Sequence, residues 1–278
     1  MAFSAIAAGH VVAITGGASG IGLAAAERFA ARGLRVAIAD LGADRLEAAR
    51  QQIMAAGAPA VLASEVDVAD PLAMTAWEAA ILSVWGGVDV VMLNAGIGPD
   101  TTVLGPPDVW QRMIAVNLWG VVYGAQAFVP GMLARGRAGL VICTGSKQGI
   151  TTPPGNPAYN VAKAGVKVFA EALEHDLRNR AGAQISAHLL IPGFVYTGLT
   201  TGVTEKPAAA WTPEQTVDFM LDSLARGDFY ILCPDNDVPR SLDEQRILWA
   251  AGDIVQNRPP LSRWHKDHAA AFQAHLKP

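Results

Sequence analysis

The stretch His10-Val11-Val12-Ala13-Ile14-Thr15-Gly16-Gly17-Ala18-Ser19-Gly20-Ile21-Gly22 decides the fold of this chain. Six residues with an apolar run predict a buried strand, and the Ala-rich segment that follows, up to Gly33, predicts a helix with a glycine stop. Between them lie glycines at 16, 20 and 22, spaced G-x-x-x-G-x-G rather than G-x-G-x-x-G. A strand turning tightly into a helix needs residues without a Cβ. The helix N-terminus then offers free N–H groups that suit a pyrophosphate. The plain alternative is a tight turn with no ligand.

Outward from that turn, short apolar runs alternate with helical patterns, the signature of βαβ units and a parallel sheet covered on both faces. Further strands are expected at Leu34 to Asp40, Val61 to Val68, Val88 to Leu93, Leu140 to Thr144, Ile185 to Ile191 and Phe229 to Cys233. Asp70-Pro71 caps and opens one helix, and Thr212-Pro213-Glu214-Gln215 opens another that ends at Gly227. A long helix follows Asp108 and runs through about Ala134, with Asn117 in its middle. Ser241-Leu242-Asp243-Glu244 reads as a second capping box, whose helix carries Leu248, Ala251, Ile254 and Val255 on one stripe. Phe194 to about Trp211 has no periodicity, and a loop of that length is usually functional.

Strand two ends in Asp40, 18 residues past Gly22, where a carboxylate can accept hydrogen bonds from a ribose diol. A 2′-phosphate would be repelled there, and neither Gly17 nor Leu41 supplies a cation, so the reading favours NAD over NADP. A solvated strand-end carboxylate is the alternative. Asn94-Ala95-Gly96 ends the fourth strand with small residues, and Ser146 leaves the fifth, at the sheet edge where ligands gather. Asn117 in mid-helix needs a reason, since asparagine disfavours helix interiors.

Tyr159 and Lys163 open a helix after the loop Thr152-Pro153-Pro154-Gly155-Asn156-Pro157. Four residues apart, they share one helix face. A free phenol, with a pKa near ~10, is a poor base at neutral pH. An adjacent ammonium is expected to lower it, so that the phenol can exchange protons with an alcohol.

With 278 residues, 51% hydrophobic and 17% charged, the chain can bury a large core. Its net charge of -4 argues against a nucleic-acid surface. Cys143 and Cys233 sit in apolar runs and read as buried thiols in a reducing compartment. The first nine residues lack a basic signal-peptide start, and no apolar run reaches the length of a membrane span. A cytoplasmic protein is expected. His265-x-x-His268 lacks helping ligands and reads as solvated, so no metal is expected. Ser146 lacks the G-x-S-x-G elbow of a hydrolase, its neighbours being Thr144, Gly145, Lys147 and Gln148.

Taken together, these motifs resemble the short-chain dehydrogenase/reductase family. Its T-G-x-x-x-G-I-G falls on Thr15 to Gly22, its N-A-G on Asn94 to Gly96, and its Y-x-x-x-K on Tyr159 to Lys163. The family's serine matches Ser146, its helix asparagine Asn117, and its P-G-x-x-x-T matches Pro192-Gly193 with Thr197. The resemblance spans about Val11 to Thr200. It implies a single Rossmann-type α/β domain, a doubly wound parallel β-sheet with helices on both faces, over residues 1–234. An extended C-terminal tail, residues 235–278, is expected to pack on the domain or on a neighbouring subunit.

By the same resemblance Tyr159 is the acid/base and Lys163 lowers its pKa while bonding the nicotinamide ribose. Ser146 holds the substrate oxygen, and Asn117 anchors a proton-relaying water. Gly16, Ser19, Gly20, Ile21, Gly22, Asn94, Gly96 and Pro192 line the cofactor. Asp40 takes the adenosine ribose, Asp67 and Val68 the adenine, Val195 and Thr197 the carboxamide. A homodimer or homotetramer is implied. The long tail, with Thr144 to Ile150 and Asn160 to Lys167, is similar to the Cα-dehydrogenases of lignin β-aryl ethers, which oxidise a benzylic alcohol with NAD. A hydroxysteroid or polyol dehydrogenase, or a non-catalytic NAD sensor or scaffold, would use the same fold.

Overall fold

The apolar runs form seven strands: β1 (Val11–Thr15), β2 (Arg35–Asp40), β3 (Val61–Glu65), β4 (Val90–Leu93), β5 (Gly139–Thr144), β6 (Ile185–Ile191) and β7 (Tyr230–Leu232). The structure, a computed structural model, describes residues 2–199 and 205–276. All neighbouring strands run parallel, in the order β3-β2-β1-β4-β5-β6-β7. Helices join them in chain order: α1 (Gly20–Ala30), α2 (Ala43–Ala55), α3 (Pro71–Trp85), α4 (Pro107–Ile114), α5 (Gly120–Ala134), α6 (Gln148–Thr151), α7 (Pro157–Asn179) and α8 (Pro213–Arg226).

Alternate strand residues face opposite sides, so the sheet builds two cores. Val11, Ala13, Val91 and Leu93 meet Met74, Trp77, Phe128 and Val166 from α3, α5 and α7. On the other face Val12, Ile14, Val90 and Met92 meet Phe29, Leu46, Ile53 and Met220 from α1, α2 and α8. From β1 the chain winds outward to β3, then returns to place β4 on the other side of β1. A crevice therefore opens between the carboxyl ends of β1 and β4, where open α/β sheets bind ligands.

Local signals set several helix ends. Asp70 accepts a hydrogen bond from Leu72 N at 2.8 Å, and Thr212 with Gln215 forms both arms of a capping box. The second expected box, at Ser241, does not form. The helix α9 (Arg240–Val255) starts earlier, after Pro239. There Glu244 pairs with Arg240, and Asp243 is drawn inward to Lys147. The apolar stripe faces outward: Leu248, Ile254 and Val255 are exposed, while Trp249 is buried.

After α9 come two short 3-10 turns and α10 (Ala269–His275). Trp249 organises this end of the chain. Its ring meets Phe272 edge-on at 5.3 Å, the Arg258 guanidinium lies 3.9 Å from its centre, and its Nε1 donates to Ser262 at 2.8 Å.

The expected helix through Asn117 is real but not uniform. A π turn at Ala115–Trp119 interrupts it between α4 and α5. By length and composition alone the combined segment Pro107–Ala134 reaches the span of a bilayer, as core helices also do. Half of its most apolar window is buried within the fold, with Val121, Ala125 and Phe128 in the core beneath the sheet.

Candidate active site

The opening turn is shaped by close backbone approach. Gly16 adopts φ +65° and Gly20 φ +53°, conformations that side chains rarely tolerate. An added Cβ at Gly16 would sit 2.8 Å from Ala95 Cα, and one at Gly20 would sit 3.1 Å from Thr197 Cγ2. Ser19 is the N-cap residue of α1 yet makes no side-chain cap, so the helix N–H groups are directed at whatever occupies the crevice. Gly22 differs. Its Cβ would fall 2.1 Å from Gly16 O, and it does not line the cavity. That close approach gives Gly22 a part in closing the turn.

Asn94 braces three strands at this point. Its N–H donates to Thr15 Oγ1 at 2.9 Å, its Nδ2 to Thr15 O at 3.3 Å, and its Oδ1 accepts from Thr144 Oγ1 at 3.2 Å. Asn117 is wholly buried behind this wall. Its amide clamps one residue, accepting from Ile97 N and donating to Ile97 O, both at 2.8 Å, and it also donates to Met113 Sδ. Its side chain lies outside the cavity lining, so it holds the Gly96–Ile97 wall rather than facing substrate.

Ser146, Tyr159 and Lys163 share one cavity of about 730 Å³, which extends through Gly16, Ser19, Gly20 and Ile21 to Asp40. The Ser146 hydroxyl stands close enough to that of Tyr159 to pull its pKa downward. Gln148 N donates to Ser146 Oγ at 3.1 Å, steadying it. Lys163 Nζ lies 5.7 Å from the Tyr159 ring centre and donates to Thr144 O at 2.8 Å.

Burial raises the Tyr159 pKa above its ordinary value, and only the Ser146 hydroxyl pulls the other way. Burial also lowers Lys163 to about 8, opposed by Cys143. Desolvation dominates both groups, and the Lys163 ammonium gives its hydrogen bond to a carbonyl.

At the far end Asp40 accepts from Ala18 N at 3.0 Å, Leu41 N at 2.8 Å and Arg45 Nη2 at 2.7 Å. Arg45 was missed in the sequence. It stands one turn inside α2, and it places a cation where the argument against a 2′-phosphate assumed none. Asp67 likewise meets Arg112 at 2.9 Å. Burial works to raise the Asp67 pKa, yet bonds from Arg112 and Ala69 N hold it below the usual range. Val68, Gly96, Pro192, Val195 and Thr197 all line the same cavity.

Asn156 was also missed. It caps α7 by accepting from Tyr159 N at 3.3 Å, while bonding Thr101 Oγ1 at 2.5 Å and Pro99 O at 2.9 Å. The helix carrying Tyr159 is thus tied to the 97–101 rim. The 194–211 segment is pinned by a Val195–Trp211 bridge. Residues 200–204 of that expected loop lie outside the described residues.

These residues fit a dinucleotide: a glycine cradle that Cβ atoms would fill, an uncapped helix N-terminus, and a carboxylate at the distal end. Residues 10–208 match the model of the short chain dehydrogenase family. The chain is 35% identical over 202 residues to 2-(R)-hydroxypropyl-CoM dehydrogenase of Xanthobacter autotrophicus, covering 71% of this chain and 79% of that protein. It is 31% identical to 1-deoxy-11-beta-hydroxypentalenate dehydrogenase of Streptomyces exfoliatus, covering 90% and 92%. Among solved structures, a short chain dehydrogenase/reductase from Burkholderia phymatum in complex with NAD superimposes with TM-score 0.82 at 28% identity, covering 91% of this chain and 96% of that one. The apo form of LigD from Sphingobium sp. strain SYK-6 gives TM-score 0.77 at 23% identity, covering 90% and 98%. That likeness is one of fold.

Proposed function

Because this chain belongs to the short-chain dehydrogenase/reductase family, we propose that it oxidises a secondary alcohol to a ketone with NAD, acting on a bulky aromatic, benzylic alcohol of the lignin β-aryl ether type. The observation that carries the reading is the Ser146–Tyr159 hydroxyl pair beside Lys163, in a cavity that runs on to Asp40. A sensor or scaffold would need only the glycine turn and Asp40.

NAD, when bound along the crevice, supplies the hydride acceptor. The residues around it divide the remaining work. Tyr159 takes the proton of the substrate hydroxyl, and Ser146 holds that oxygen in line with it. Lys163 is fixed by Thr144 O, where its ammonium can donate to the nicotinamide ribose. Asn117 keeps the wall at Ile97 in place, and Asn156 orients the first turn of α7. Ser19, Gly20 and Ile21 cradle the pyrophosphate and Asp40 the adenosine ribose; Val68 and Asp67 flank the adenine, Val195 and Thr197 the carboxamide.

Size and polarity of the substrate are read from the other end of the cavity. Ile97, Pro99, Phe194 and Leu199 line the cavity, with Asp100, Gln148 and Asn156 as polar members. Phe194 and Leu199 are partly exposed at the rim, which suits an aromatic ring better than a polyol. Exposed Trp119, Val161 and Val168 support assembly as a homodimer or homotetramer. A panel of aryl, steroid and polyol secondary alcohols with NAD, followed by absorbance of the reduced nicotinamide, tests the substrate class. Turnover of polyols and not of benzylic alcohols would overturn it.

Cofactor choice has its own test. Hydrogen bonds to a charged group contribute about 1.5–3 kcal/mol, so Asp40→Ala should weaken NAD roughly 10- to 100-fold. The same change unpairs Arg45, whose guanidinium then suits a 2′-phosphate, so the preference should shift toward NADP. Binding of both cofactors is measured by titration. An unchanged NAD-to-NADP ratio would remove Asp40 from the ribose site.

A further inference from the structure

We propose that Lys147, Asp235 and Asp243 form an ionic latch through which the C-terminal extension positions Ser146 and the Gly193–Phe194 turn for reaction. The proposal rests on the alcohol-oxidising reading for its kinetic test alone.

Lys147 follows Ser146 directly. Its ammonium lies 2.6 Å from Asp243 Oδ2 and 3.1 Å from Asp235 Oδ2. All three side chains are nearly out of solvent, at 16%, 8% and 6% exposure. Asp243 comes from α9, and Asp235 from the segment just after β7. Asp235 Oδ2 also accepts from Phe194 N at 3.4 Å, and Lys147 N donates to Pro192 O at 3.1 Å. Gly193 is wedged into the same knot: a Cβ there would stand 2.5 Å from Asp235 Oδ2 and 2.8 Å from Lys147 Nζ. Segments following β5, β6 and β7 therefore meet the tail at one ammonium.

Two of those segments border the cavity, through Ser146 on one side and Pro192, Gly193, Phe194 and Val195 on the other. Stability alone is a poor explanation for the cluster. Buried ion pairs recover their desolvation cost only partly, and two carboxylates sharing one cation repel each other. Burial, together with the charge of Asp235, pushes the Asp243 carboxyl up, with Lys147 opposing. What the cluster offers is direction, because a buried cation hydrogen-bonded to Asp235 and ion-paired with Asp243 has little freedom. Lys147, Asp235 and Asp243 are positioning residues in this scheme, acting through Ser146 and the turn without touching substrate.

Asp243→Asn is the cleanest test, since Lys147 keeps Asp235 as a balanced pair. Hydrogen exchange by mass spectrometry should show faster exchange in segments 145–150 and 192–199 before any substrate is added. With the best alcohol of the panel, kcat should fall about 10- to 100-fold, as a misplacement near 1 Å would produce, with KM nearly unchanged. Lys147→Arg keeps the charge but moves it, so it should reproduce the kcat loss in a folded protein. Asp243→Glu should recover part of it. Glu244→Gln, one residue along on the exposed face, should change neither readout.

Unchanged exchange in both segments would overturn the latch whatever the substrate. Faster exchange with unaltered kcat would overturn the positioning role. A wild-type protein silent toward every alcohol, with exchange still raised in Asp243→Asn, would instead defeat the alcohol reading and leave the latch standing.

Discussion

Tyr159→Phe is expected to lower kcat by roughly 10³-fold, inside the 10²–10⁴ range of a positioned acid/base, while NAD affinity stays near wild type. The substitution removes one oxygen and keeps the ring. It removes the hydroxyl beside Ser146, whose Oγ keeps its bond from Gln148 N. It leaves Lys163 on Thr144 O, so the ribose end of the pair is untouched.

A pH arm sharpens the test. Burial raises the phenol's pKa, so phenolate is scarce at neutral pH in the free protein. Alcohol oxidation needs that phenolate, and its kcat/KM should climb as pH rises; ketone reduction needs the phenol and should be favoured on the acid side. Tyr159→Phe should flatten both limbs. Surviving turnover with an intact pH profile would transfer the proton to another group.

Gly149→Ala should be nearly as damaging, for a packing reason. The short helix α6 presses against α7, and a Cβ at 149 would lie 2.5 Å from both Lys163 C and Lys163 O and 2.8 Å from Ala164 N. All three are main-chain atoms, so no rotamer change relieves the contact. Overpacking of this kind costs about 1–3 kcal/mol and occasionally more. In a chain of this size that lowers Tm by several degrees, roughly 2–4 °C per kcal/mol. Two of the displaced atoms belong to Lys163, so turnover should fall further than stability explains. Thermal melts and steady-state rates on one preparation check both parts. A Gly149→Ala protein with wild-type melting and turnover would show that α6 can withdraw without disturbing the site.

Lys163 illustrates how far spacing alone can go. Four residues on a helix place it beside Tyr159, and the structure keeps the two in one cavity. Spacing could not say that Thr144 O, from β5, would take its hydrogen bond, nor that burial would dominate both pKa values. Arg45 makes the same point at the other end. Asp40 was legible as a strand-end carboxylate, but its partner depends on where the first turn of α2 comes to lie. Gly22 was legible as essential to the turn, but its close approach to the Gly16 carbonyl was not.

The order of strands and helices, the glycine turn, and the order of Asp40, Asn94, Ser146, Tyr159 and Lys163 along the chain follow from the sequence by itself. Each rests on local rules, namely side-chain period, cap chemistry and φ preference, which act over a few residues. Tertiary structure alone decided that Asn117 would clamp Ile97, that Asn156 would join Thr101 to α7, and that Asp243 would reach Lys147 across 96 positions. Those pairings depend on which strand ends the parallel sheet brings together. A single sequence read for local pattern carries no record of distance between segments that meet only when the core closes.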